Sequence, residues 1–243
     1  MNRVSGWNII DTGTDSGYNN MAFDASLLAN LDNSSRPTIH FYEWQADCAT
    51  YGYFVDPFTF LRKDGVEKVG LQLAKRPTGG GIIFHLWDFA FSVAIPSASY
   101  LFSENTLENY RFINQAVLNT AKEFMGNSTS ASLIVDDFLP KDIHCKRFCM
   151  AQPTKYDVIM CGRKIAGAAQ RKTKKGFLHQ GTISLLFPPI EYLEKVLFPS
   201  TKVISAMYEN TFPLLGAKAS QDDFYSAKKE IQKLLIKHLT SEK

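Results

Sequence analysis

The chain has 243 residues and a net charge of +3, with 45% hydrophobic, 21% charged and 13% aromatic side chains, which supports a sizeable buried core and excludes a largely disordered chain. The small charge lacks the clustered basic footprint of a nucleic-acid binder, and no apolar run reaches the roughly 18 residues of a membrane span. Four cysteines, Cys48, Cys145, Cys149 and Cys161, are too few for a disulfide scaffold in a chain this long. No signal-peptide core follows Met1, so a cytoplasmic location with free thiols is expected, without nucleic-acid or membrane partners.

Trp7 to Asp11 reads as a short strand and Gly13 to Gly17 as a polar turn. Helical spacing of Met21, Ala22, Ala25, Leu28 and Ala29 predicts a helix over 20–31, with Asn19 or Asn20 as its N-cap. Thr38 to Trp44, rich in β-branched and aromatic residues, reads as a strand, as does Ala49 to Val55. Leu71 to Lys75 leads into Pro77-Thr78-Gly79-Gly80-Gly81. Ile82 to Phe84 and Phe89 to Ile95 follow as strands, with His85 to Asp88 as the turn between them. Leu107 to Met125 has the periodicity of an amphipathic helix, and residues 131–148 are irregular. Tyr156 to Met160 and Lys164 to Ala169 form a hairpin about Cys161-Gly162-Arg163, and Gly181 to Phe187 is a further strand. The tail from Ser220 to Leu239 is an amphipathic helix opened by a capping box of Ser220 and Asp223. The sum is an α/β (α+β) domain, a mixed sheet with flanking helices. Residues 1–190 form the body, and 191–243 a helical extension of the same domain with room for one or two helices.

Two segments carry chemistry. In Lys75-Arg76-Pro77-Thr78-Gly79-Gly80-Gly81-Ile82-Ile83-Phe84-His85, the glycines allow backbone N–H groups to approach a ligand, and the basic residues before them can hold a carboxylate or phosphate. A plain hairpin turn fits the three glycines equally well. The spacing is neither a Walker loop nor a dinucleotide fingerprint. In Gly162-Arg163-Lys164-Ile165-Ala166-Gly167-Ala168-Ala169-Gln170, a lysine set among small residues can polarise an acyl carbonyl, and the small residues leave room for a narrow ligand. The commoner fate of such a lysine is an exposed position on a hairpin.

Together these segments resemble the catalytic core of the lipoate–protein ligase and octanoyltransferase family, relatives of the biotin ligases. Arg76, Thr78, Gly79, Gly80, Gly81 and His85 match its Arg-Arg-x-Thr/Ser-Gly-Gly-Gly loop and following histidine, with Lys75 in place of the first arginine. Gly162, Lys164, Ile165, Gly167, Ala169 and Gln170 match its Gly-x-Lys-Ile-x-Gly-x-Ala-Gln stretch. Asn20 to Asp24, Phe41 to Trp44 and Gly52 to Phe54 are similar to further family segments. Leu178-His179-Gln180-Gly181-Thr182 is similar to Leu-His-His-Gly-Thr, with Gln180 for the second histidine. The biotin-ligase Gly-Arg-Gly-Arg-x-Gly loop is missing.

The resemblance implies a mixed sheet with an acyl tunnel lined by residues 76–81, the Lys164 segment and Ile83. At about 0.8 kcal/mol per buried CH₂, an eight-carbon chain draws roughly 5 kcal/mol from burial. It also implies attachment of an octanoyl or lipoyl group to a lysine of lipoyl domains, those of 2-oxoacid dehydrogenases or the glycine-cleavage H protein. Lys164 is the implied catalytic lysine. Arg76, Thr78 to Gly81, His85, Gly167 and Ala169 are the implied acyl- or adenylate-binding residues. Cys149-Met150-Ala151-Gln152-Pro153-Thr154-Lys155-Tyr156-Asp157 is similar to the Cys-x-x-x-Pro-Ser-x-Tyr-Glu pattern of cysteine octanoyltransferases. That favours a transferase with Cys149 as nucleophile, its thiol pKa lowered if Lys146, Arg147 and Lys155 face it. Such an enzyme takes its acyl group from an acyl carrier protein and needs no cofactor. The alternatives are an ATP- and Mg²⁺-dependent lipoate ligase acting through lipoyl-AMP, and a non-catalytic lipoyl-binding relative. A free cysteine is also often only a small buried hydrophobe. No metal is expected, although His144, Cys145, Cys149 and Cys161 are possible zinc ligands without a Cys-x-x-Cys pair.

Overall fold

The computed structural model describes the chain apart from residues 1, 5, 127–129, 135–144, 152–153, 217 and 242–243, and the backbone alone at 2–4 and 146. In chain order the elements are β1 (Asn2–Val4), β2 (Trp7–Asp15), α1 (Gly17–Ala29), β3 (Thr38–Trp44), β4 (Cys48–Tyr51), α2 (Lys63–Val69), β5 (Gln72–Lys75), β6 (Ile82–His85), β7 (Asp88–Pro96) and α3 (Thr106–Phe124). There follow β8 (Ser132–Leu133), β9 (Val158–Met160), β10 (Arg163–Thr173), β11 (Gly176–Ser184), α4 (Ile190–Val196), α5 (Val203–Asn210) and α6 (Gln221–Thr240).

The mixed α/β fold is the expected one, but the strands divide between two sheets. Eight run in the order β1-β2-β3-β7-β11-β10-β9-β8, and three form a small sheet in the order β5-β4-β6. β6 and β7 therefore do not make the hairpin that their sequence suggests. The two residues between them, Leu86 and Trp87, carry the chain from one sheet to the other.

β7 is buried along its whole length, which explains its near-continuous apolar sequence. Its large residues Phe89, Phe91, Val93 and Ile95 pack with Phe177 and Ile183 of β11, Ile113 and Val117 of α3, and Ile231 and Leu235 of α6. Its small residues face the other way, where Ala90 and Ala94 receive Met21 and Leu28 of α1. The small sheet has its own core with α4 and α5, including Ile82, Phe84, Phe148, Leu193 and Met207. Full burial of each such side chain contributes about 1.5–3 kcal/mol.

Several boundaries differ from the sequence reading. β2 runs on to Asp15 because Gly13, at φ 67°, forms a one-residue irregularity in the ladder with β3 rather than a turn. α1 starts at Gly17, and its N-cap is Ser16, whose hydroxyl accepts from the Asn19 amide. A side chain at Gly17 would stand 2.6 Å from the Cys48 sulfur, so glycine there lets the helix start against β4. α2, α4 and α5 have no counterpart in the sequence reading, and among the described residues three helices rather than one or two follow Phe187. Among the described residues no helix is long and apolar enough to cross a membrane.

Candidate active site

A narrow cavity with a free volume of about 30 Å³ opens between the two sheets, well below the roughly 300–1,000 Å³ of small-ligand sites. Its walls come from α1 (Met21), β3 (Tyr42), the small sheet (Thr50, Ile83, His85), Arg76, Cys149, β10 (Gly167, Ala168, Ala169) and β11 (Gln180, Gly181, Thr182). Both sequence motifs thus reach one space. The register of β10 with β11 sets Gly167 opposite Thr182 and Ala169 opposite Gln180, which brings the small residues of the lysine segment to the wall facing the glycine loop.

The glycine loop is held from both sides. Arg76 is buried and turned back into the loop that it opens: its guanidinium donates to Thr50 Oγ1 at 2.7 Å and to the carbonyls of Gly79 (3.0 Å) and Gly81 (2.8 Å). Thr78 donates to Gln180 Oε1 at 2.7 Å. Gly80 has φ 86°, and a Cβ there would lie 3.5 Å from Ala169 Cβ and 3.9 Å from Cys149 Sγ. At Gly81 a Cβ would strike the Arg147 carbonyl at 2.1 Å, whereas at Gly79 it would meet nothing within 4 Å. Gly80 is therefore demanded by its backbone conformation and Gly81 by packing against the Arg147 carbonyl, while neither reason demands Gly79. Lys75 points outward, its ammonium 4.3 Å from the centre of the Tyr53 ring, so of the two basic residues only Arg76 faces the cavity.

His85 is fixed at both nitrogens, Nδ1 to Asp88 at 2.6 Å and Nε2 to Thr50 Oγ1 at 2.8 Å, and its ring stacks on Trp44. Burial pushes the Asp88 carboxyl up, but His85, the Thr182 hydroxyl and Lys228 outweigh it and hold it below the usual carboxylate range.

Cys149 is half-buried in the cavity wall, and its amide donates to the Ile82 carbonyl at 3.0 Å. Lys164 is not exposed on its hairpin but 3% accessible. The tight turn at Cys161 (φ 52°) and Gly162 (φ 72°) and a bulge between Lys164 and Ala166 in the pairing with β9 turn it inward. Its ammonium donates to the Cys149 carbonyl at 2.7 Å and pairs with Asp157 at 2.6 Å. A lysine ammonium has three donors, so one remains. Beside it stands Gly167, where a Cβ would lie 2.8 Å from Nζ. The missing side chain makes room for the end of Lys164 against Gly167, which itself lines the cavity. Arg147 is exposed and Lys155 packs over Tyr156; the Lys146 side chain lies outside the described residues. Cys145 is buried and Cys161 is exposed on the turn. Among the described residues no three His, Cys, Asp or Glu side chains stand together to hold a metal; His144 lies outside them.

The sequence matches the model of the lipoyl protein ligase A/B catalytic domain over residues 16–211. The chain belongs to that family. Among relatives, it is 29% identical to the octanoyltransferase LipM of Anoxybacillus flavithermus over 207 residues, covering 84% of this chain and 74% of that one. It is 32% identical to the LipM of Staphylococcus aureus over 180 residues, 73% of this chain and 65% of that one. Its fold is shared with protein Ta0514 of T. acidophilum, solved with bound lipoic acid, with a TM-score of 0.70 at 22% identity over 96% of this chain and 85% of that one. It is shared likewise with the bi-partite lipoate protein ligase of Thermoplasma acidophilum studied with its E2 lipoyl domain, with a TM-score of 0.71 at 21% identity over 97% and 84% of the two chains.

The family motifs bring Arg76, His85, Gly167, Ala169 and Cys149 to the cavity, while Thr78 and Lys164 adjoin it through Gln180 and Gly167. Met21 and Tyr42 in the wall fall within the segments Asn20 to Asp24 and Phe41 to Trp44, which do not single them out, whereas no motif points to Thr50, nor to Asp157 as the partner of Lys164. Asp157 stands within the quoted Tyr-Asp pair, and its burial against Lys164 follows only from the β9–β10 hairpin.

Proposed function

We propose that this protein transfers a medium-chain acyl group, octanoyl, to a lysine of a lipoyl domain through a thioester on Cys149. The observation that carries the reading is a narrow cavity lined by Cys149, Arg76 and Gly167, with Gly80 close to the Cys149 sulfur and the Lys164 ammonium held between the Cys149 carbonyl and Gly167. The curated relatives named octanoyltransferase support it.

In the first step the Cys149 thiolate attacks the carbonyl carbon of an acyl thioester on a carrier protein. A carbon–sulfur bond forms to Cys149, and the carrier's thiolate leaves. The remaining donor of Lys164 faces the carbonyl oxygen as negative charge develops there. In the second step the ε-amine of the target lysine attacks the same carbonyl carbon, loses a proton and expels the Cys149 thiolate. The amide remains on the acceptor. Two easier acyl transfers replace one difficult one, and no cofactor enters.

The test is incubation with a lipoyl domain and either an octanoyl-carrier thioester or octanoate with Mg-ATP, read as mass added to the domain. Modification from the thioester without ATP, abolished in Cys149→Ser, is expected. A strict need for ATP, with Cys149→Ser as active as the parent, would overturn the thioester route and leave the ligase reaction. Binding of the acid with no modification in either mixture would leave a non-catalytic binder.

A further inference from the structure

We propose that Asp24 is a positioning residue of this site, acting through Gln180 to fix Thr78 and the glycine loop beside Cys149. The inference rests on the acyl-transfer reading and deepens it.

Asp24, on α1, has no exposed surface. Its carboxylate takes hydrogen bonds from His40 Nδ1 at 2.8 Å, the Ser92 hydroxyl at 2.5 Å and Gln180 Nε2 at 2.6 Å. With three donors directed at its two oxygens, the carboxylate acts here as an acceptor only. The orientation of Gln180 follows: its NH₂ must face Asp24, which leaves Oε1 for the Thr78 hydroxyl at 2.7 Å. The chain of bonds thus runs with one polarity from a fixed charge beneath the sheet to the loop. Thr78 lies two residues before Gly80, where an added Cβ would stand 3.9 Å from the Cys149 sulfur. Gln180 itself lines the cavity. An imidazole at this position, as in the family pattern, also offers one donor and one acceptor but titrates near neutral pH. The amide makes the same bridge without that dependence.

The experiment compares Gln180→Glu, the double variant Asp24→Asn with Gln180→Glu, and Gln180→Met. Three quantities are read: the rate of Cys149 acylation from an octanoyl thioester across pH, the rate of Cys149 alkylation by iodoacetamide, and the thermal melt. Gln180→Glu sets two carboxylates in hydrogen-bond contact, so the bridge holds only while one of them carries a proton and breaks when both are ionised. Acylation should fall about a hundredfold near neutral pH, as expected for a misplaced loop, and recover as the pH is lowered. Alkylation should rise as Gly80 uncovers the sulfur. The double variant keeps every bond with the charge moved across the pair, and both rates should return towards the parent's. Gln180→Met removes both bonds without adding charge, and should lose acylation while folding.

A parental rate and flat pH response in Gln180→Glu would overturn the proposal. So would a double variant no faster than the single one when both melt like the parent, or full activity in Gln180→Met. Should the parent itself fail to acylate, the functional reading fails, and alkylation still decides: unchanged rates in all three variants overturn the positioning role, and a rise reversed in the double variant supports it.

Discussion

At the scale of single residues, the proposed chemistry requires Lys164 to be held rather than merely present. Its buried partner Asp157 also accepts from the amide and hydroxyl of Thr154, so the pair is anchored to the segment that follows Cys149. Removing one member of a buried ion pair leaves an uncompensated charge. Asp157→Ala should therefore lower stability by about 3–5 kcal/mol, measured by denaturant unfolding against the parent; a loss below about 1 kcal/mol, the scale of exposed pairs, would show that the pair is not shielded. Gly167→Ala tests the room that the end of Lys164 takes up beside the cavity. The new methyl would lie 2.6 Å from Lys164 Cε, and a displacement of the order of 1 Å should slow transfer about a hundredfold with the melt little changed. The identity of Lys164 was legible in the sequence, through the glycine and alanine pattern around it. Its burial was not, because the bulge that turns it inward leaves no mark on a single strand.

At the scale of elements, the glycine loop owes its position to a neighbour as much as to its own composition. Gly52 donates its amide to the Gly81 carbonyl at 3.1 Å, and Tyr53 donates to the Thr78 carbonyl at 2.9 Å. A Cβ at Gly52 would stand 2.1 Å from the Gly80 carbonyl. Gly52→Ala should accordingly displace the loop and cut transfer about a hundredfold, read as acylation rate beside an unchanged far-ultraviolet spectrum. Ser220→Ala acts elsewhere. It removes the capping box of α6, in which Ser220 and Asp223 satisfy each other's amides, and should cost about 1 kcal/mol of stability without changing the acylation rate. That cap and the apolar stripe of α6 were legible because the helix runs for 20 residues and repeats its period. α2 was not: it has 7 residues and contains Gly65, where a Cβ would meet the Lys195 carbonyl at 1.8 Å. That glycine serves the contact with α4, which a local pattern cannot reveal. The separation of β6 from β7 was hidden for the same reason, since two strands joined by a short link read as a hairpin whichever sheets they enter.

At the scale of the molecule, the large sheet carries a titratable group that opposes acid conditions. His179 on β11 is fully buried between Phe91 and Tyr110, and neither ring nitrogen has a hydrogen-bond partner among the described residues. Burial lowers its pKa from 6.5 to about 3. The unfolded chain thus binds a proton that the folded chain refuses. The stability from the neutral ring is fully present above about 6.5 and is lost as the pH falls towards about 3. His179→Phe should flatten the fall of melting temperature over that interval; an unchanged slope would show that the ring titrates normally.

One covalent claim underlies the proposed chemistry, that Cys149 carries the acyl group between donor and acceptor. The most direct measurement mixes the protein with an octanoyl-carrier thioester in the absence of acceptor, then maps the modified peptide by mass spectrometry. One octanoyl group on the peptide containing Cys149, released by neutral hydroxylamine and absent in Cys149→Ser, is the result expected. An unmodified Cys149 in a preparation that still acylates a lipoyl domain would contradict it.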